Sequence, residues 1–193
     1  MVYKELLSAI AITLTVVAFL PYIRSIQQGI TKPHVFSWVI WGATTFVVFL
    51  AQLAEKGGVG AWPIGVSGII TLYVACLAYI KKSDTIITRT DWFFFLMAMT
   101  SLPLWYFTSD PVWAVVILTI VDVLGFAPTF RKAYSQPFEE QLRFFVIMVA
   151  RNLISILALE HYSQATVLFP AVIAAACLIF ILMVMYRRRV VVI

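Results

Sequence analysis

The sequence predicts an all-α integral membrane protein: seven transmembrane helices, arranged as two parallel three-helix repeats joined by an inversion helix. Three observations lead there. Hydrophobic residues make up 63% of the chain and charged residues 12%, more apolar surface than a soluble globule of 193 residues can hide. Polar, turn-like punctuation cuts the chain into apolar blocks of roughly 18–23 residues, the length of a bilayer-crossing helix and too long for alternating barrel strands. The first and last blocks also share end signals at a constant spacing of 107 residues.

The first block, 5–23, ends in Phe-Leu-Pro-Tyr-Ile-Arg at residues 19–24. A proline removes an N–H donor and crowds the carbonyl four residues back, so Pro21 is expected to loosen the helix near its end. Arg24 follows as a headgroup anchor. A cleaved signal peptide is not the expectation, because no small-x-small site precedes Pro21. The second block, 34–54, carries Trp38 and Trp41 three apart on one face, with Thr44 one turn deeper. Indole faces there suit stacking on a sugar, a nucleoside or a flat vitamin ring, while Trp38 equally suits anchoring at the interface.

The third block, 60–80, opens on Trp62-Pro63 and runs out into Tyr79, Lys81 and Lys82. Proline in a first helical turn costs no hydrogen bond. The fourth, 92–109, crosses once. The fifth, 112–130, holds Asp122 and runs into Phe-Ala-Pro-Thr-Phe-Arg at 126–131, so Pro128 repeats Pro21. The sixth, 141–159, holds Arg151 and Asn152. The seventh, 164–186, repeats the third: Phe169-Pro170 answers Trp62-Pro63, and Tyr186, Arg188 and Arg189 answer Tyr79, Lys81 and Lys82.

The units are therefore 1–82, 83–110 and 111–193. A single linking helix makes the second triple enter the bilayer in the same direction as the first. Matched weak points at Pro21 and Pro128 are expected to act as hinges when one triple rocks against the other.

An unpaired charge at mid-membrane costs about 2.5–3.5 kcal/mol on insertion scales, so Asp122 and Arg151 are expected to face the bundle interior. Their helices are consecutive and antiparallel, which would let the two meet. Three roles stay open: a structural ion pair, a proton-titrated Asp122, or an Arg151 that receives an anionic substrate group. The residue 107 positions before Asp122 is Thr15, so the site is expected to be asymmetric. Thr15, Trp38, Trp41, Thr44, Arg151 and Asn152 are the expected substrate-lining residues, with Asp122 as the proton-coupling group.

Charge placement sets the orientation. Eleven of the fourteen Lys and Arg fall in the loops near 24–33, 81–91 and 131–140 and around the last helix end. By the positive-inside rule those loops are cytoplasmic and the N-terminus faces outside, in a cell (inner) membrane. The net charge of +5 thus orients the chain toward anionic lipid and is no nucleic-acid patch. Cys76 and Cys177 read as small hydrophobes within apolar helices. His34 and His161 fall at opposite faces with no metal-ligand spacing, one intramembrane Asp is too few for an aspartyl protease, and the last helix has no Lys for a retinal Schiff base. The expectation is no enzyme, no metal and no cofactor. The expected partners are a small-molecule substrate and the bilayer, with homo-oligomerisation left open.

The stretch from Pro21 to Trp38 resembles a PQ-loop, and Ala127 to Tyr134 resembles the corresponding segment of SWEET proteins. With three, one and three helices, the architecture is similar to the SWEET and PQ-loop (MtN3-like) transporters. The dipeptides here read Pro21-Tyr22 and Pro128-Thr129. The resemblance implies transport of a small polar molecule (a sugar, amino acid or other small metabolite) by alternating access, as uniport or coupled to protons through Asp122. Vitamin or nucleoside facilitators of the PnuC type share the architecture and a Trp-x-x-Trp motif, and seven-helix cargo receptors share the architecture; both remain alternatives.

Overall fold

The computed structural model describes residues 2–30, 35–81, 89–126, 130, 133–135, 137–139 and 142–191. Lys32, His34, Lys82, Pro128, Arg131 and Lys132 lie outside them.

Every regular element among the described residues is helical. The α-helices of fifteen residues or more are α1 (Val2–Gln27), α2 (Val35–Ala54), α3 (Trp62–Ile80), α4 (Arg89–Thr108), α5 (Pro111–Gly125), α6 (Leu142–Ala158) and α7 (Gln164–Val190). Short 3-10 turns cover Gly58–Ala61 and Pro137–Glu139. Four segments are both long and apolar enough to cross a membrane: Val2–Gln27, Val35–Ala54, Gly58–Ile80 and Gln164–Val190. Side chains such as Leu6, Val17, Leu20, Ile69 and Leu182 face outward uncovered, an apolar surface that suits lipid.

Local chemistry fixes the helix ends, and twice it overrides a proline. The end expected for α1 near residue 23 is wrong. The helix continues through Pro21, whose ring is exposed, to Gln27. It stops where Gly29 takes a left-handed φ of 75°. There Ile30 N donates to Ser25 O and Gly29 N to Ile26 O, both at 3.0 Å, which closes a Schellman turn over the last carbonyls. Pro170 likewise lies inside α7 and not at its entrance, because Ser163 and Thr166 cap the helix reciprocally a turn and a half earlier. Pro63 does sit in the first turn of α3. At α5, Asp110 accepts from Val112 N at 2.9 Å and Pro111 takes the first position.

Packing follows two trios. α3 packs on both α1 and α2, and α7 packs on both α5 and α6. Between the trios, α1 lies on α6 and α2 on α5, while α4 packs on α5 and α2. Gly65 and Gly68 of α3 lie against Phe49 and Phe46, and these small residues let α2 approach closely. Ile26 and Leu77 form one buried cluster with Ile23 and Trp38 packed on it. Ala133 and Val184 form another with Phe130 and Phe145 packed on it. Each residue of the second foursome stands 107 positions after its counterpart in the first.

Candidate functional site

Polar side chains in an apolar helix must find partners inside the bundle, and the seams between the trios are where they collect. On the α2–α5 seam, Thr44 is 2% exposed and Asp122 9%. Thr44 Oγ1 donates to Asp122 Oδ1 at 2.9 Å and lies 3.0 Å from the Trp41 carbonyl, so one hydroxyl hydrogen serves two acceptors. A crevice of about 30 Å³, room for a water or two, reaches Thr44 between Ile40, Ala98, Ser101 and Leu118.

Trp41 lies across the end of α5. A methyl group on Gly125 would come within 2.5 Å of Trp41 Nε1, so the indole occupies the space that a side chain there would take. Trp38 stacks on Tyr22 at 5.0 Å between centroids with an interplanar angle of 25°, and meets Phe19 and Trp41 edge-on. The indole faces expected to hold a ligand are thus partly covered by the protein's own rings.

On the α1–α6 seam the chemistry differs. Arg151 is 2% exposed; its Nη2 donates to Ser67 Oγ of α3 at 3.2 Å, with the Met148 thioether at 4.0 Å. Arg151 Nε and Nη1 meet no protein acceptor. Asn152 Nδ2 donates to Met148 O at 2.9 Å, but its Oδ1 has no protein donor, and Ser155 Oγ has no protein partner. Thr15 on the facing helix is buried and donates to Ala11 O of its own helix at 2.8 Å.

The expected meeting of Asp122 with Arg151 does not occur. α5 and α6 are neighbours in sequence but both pack on α7, which leaves the two charges on different seams. What relates them instead is the 107-residue spacing. Thr15 and Asp122 are one matched pair, and Thr44 and Arg151 are another. Thr45 matches Asn152, and Val48 matches Ser155. All eight positions are buried.

Of the two expected hinges, Pro21 sits exposed within α1 and Pro128 lies outside the described residues. Sequence reasoning missed Ser67 and Ser155, which read as ordinary small residues in apolar runs. It also missed a polar clasp at the bundle end that carries Lys4. Lys4 Nζ donates to Leu159 O, Ser8 Oγ to Val59 O and buried Gln52 Nε2 to Thr166 O, each at 2.6 Å. Glu160 N donates to Gly57 O at 3.0 Å, and Gly60 packs directly on the Leu159 backbone. Gln52, a lone amide near the end of an apolar block, was the available signal.

At the opposite end, Arg187 Nε donates to Tyr134 O and Arg188 Nε to Pro137 O, both at 2.9 Å. The basic run expected to meet headgroups therefore first ties the 134–137 segment to α7, and Arg189 is the exposed member. Cys177 is buried as expected, whereas Cys76 is exposed. No family model, curated protein or solved structure matches this chain.

Proposed function

We propose that this chain is a membrane carrier for a small polar solute, built like the SWEET and PQ-loop transporters as two parallel three-helix repeats around an inversion helix. The observation that carries the reading is the pairing of buried positions 107 residues apart along both seams, with polar side chains at the middle of each. Helix neighbours support it too: exchanging α1, α2 and α3 for α5, α6 and α7 turns the α1–α6 seam into the α5–α2 seam. A duplicated bundle with polar groups buried along its seams is what alternating access requires, because rocking one trio exposes those groups first to one side and then to the other.

All seven long helices span the membrane in this reading, with the N-terminus outside and the C-terminus in the cytoplasm of a cell (inner) membrane. The Lys4 clasp is then the closed outer gate. Asp122, held by a single shared hydroxyl, is the group that takes and gives a proton if uptake is proton-driven. The chain is a carrier and not an enzyme.

The test is reconstitution into liposomes and uptake of sugars, amino acids, small organic acids and vitamins, with and without a pH gradient. Saturable uptake of one class supports the carrier. No uptake of any class, alongside tight peptide binding, sinks it in favour of a receptor.

A further inference from the structure

The two seams provide a comparison within one molecule. At the α2–α5 seam the protein supplies both partners: Thr44 donates and Asp122 accepts. At the matched positions of the α1–α6 seam, Arg151 stands where Thr44 stood, and Thr15, facing it in place of the acid, bonds its own helix. A cation has replaced a hydroxyl, and the anion that would complete the pair is not a residue of this seam. Arg151, with Asn152 and Ser155 beside it, leaves four buried polar atoms without a protein partner: Nε, Nη1, Asn152 Oδ1 and Ser155 Oγ. Residues 151, 152 and 155 adjoin on one helix face.

Their chemistry specifies a ligand. Nε and Nη1 carry three N–H bonds in the guanidinium plane, which suit a planar carboxylate better than a spherical halide. Asn152 Oδ1 accepts only, so the ligand must also donate a hydrogen bond; Ser155 Oγ can take either role. We propose that Arg151, Asn152 and Ser155 form the binding site for a small carboxylate bearing a neighbouring hydroxyl or amino group. Arg151 takes the carboxylate, and Asn152 with Ser155 reads the neighbouring donor. The proposal rests on the carrier reading, since a seam this buried admits a ligand only by opening.

The experiment measures binding to the purified full chain in nanodiscs by calorimetry, with lactate, alanine, acetate, chloride and glycerol as probes, and liposome uptake in parallel. Lactate or alanine is expected to bind more tightly than acetate, with chloride and glycerol far weaker. Arg151→Gln should weaken carboxylate binding about 10- to 100-fold, the range of a lost charge-assisted hydrogen bond, and Arg151→Lys should recover part of it. Ser155→Ala, which keeps the charge, should narrow the margin of lactate over acetate, and this covers the case of Arg151→Gln failing to fold. Chloride binding as tightly as lactate, or carboxylate affinity unchanged in Arg151→Gln, overturns the site. Carboxylate binding without uptake keeps the site and sinks the carrier; uptake of neutral solutes with no carboxylate binding does the reverse.

Discussion

Thr44 on α2 and Asp122 on α5 stand 78 residues apart in sequence and share a buried hydrogen bond of 2.9 Å. The bond ties one helix trio to the other, and the hydroxyl that makes it is also within reach of the Trp41 carbonyl. Removing the hydroxyl leaves a buried carboxylate without this donor. Thr44→Val should therefore lower stability by about 1–3 kcal/mol, while Thr44→Ser, which keeps the O–H, should cost much less. Thermal melts of the detergent-purified variants check this; equal melting temperatures for both would mean that the bond does not hold the seam.

Asp122→Asn is the partner measurement. The amide still accepts from Thr44 but no longer exchanges a proton, so the fold should survive while gradient-driven uptake is lost and counterflow persists. Unchanged gradient-driven uptake would show Asp122 to be structural.

Gly125 meets Trp41 at the same seam. Gly125→Ala puts a methyl group against the indole nitrogen and must displace the ring. The expected result is a destabilisation of about 1–3 kcal/mol, the usual cost of overpacking, with a shift in tryptophan emission. Trp41→Phe in the same chain, by vacating that edge, should restore the melting temperature.

The clasp at the Lys4 end predicts an accessibility change. Gly60→Ala drives a methyl group into the Leu159 backbone, which cannot swing aside as a side chain can. With exposed Cys76 replaced by Ser, buried Cys177 should react with a membrane-permeant maleimide several-fold faster in Gly60→Ala than in its parent. No change in rate would mean that the clasp does not control access to the seam.

Ile26 and Ala133 occupy matched, fully buried positions with opposite volumes. Ile26→Ala should open a cavity and cost about 2–5 kcal/mol. Ala133→Ile should overpack Phe180 and cost about 1–3 kcal/mol. The pair separates a genuinely shared packing position, where both substitutions hurt, from a coincidence of numbering, where one is tolerated.

Much of the fold was legible in the residues. An apolar run long enough to cross a bilayer is a property of the sequence itself, and the seven blocks coincide with seven long helices, four of which meet both length and apolarity. The buried placement of Asp122, Arg151, Asn152, Thr15 and Thr44 was legible for the same reason: a polar group in such a run has nowhere to go but inward. Helix ends were less so. Pro21 and Gly29 both offered a stop for α1, and the left-handed glycine ended the helix, because a proline costs one hydrogen bond whereas a Schellman turn satisfies two carbonyls.

The sequence by itself determined how many helices form, which side chains must be inside them, and that two stretches repeat at 107 residues. Only the tertiary structure decided who faces whom. Asp122 and Arg151 lie on consecutive helices yet on separate seams, Thr44 and not Arg151 reaches the carboxylate, and Lys4 finds Leu159 across 155 residues of chain. Hydrophobic length acts along one dimension and is read residue by residue. Partnership arises from which helix faces interdigitate, and α7 packing between α5 and α6 is an outcome of all the contacts at once.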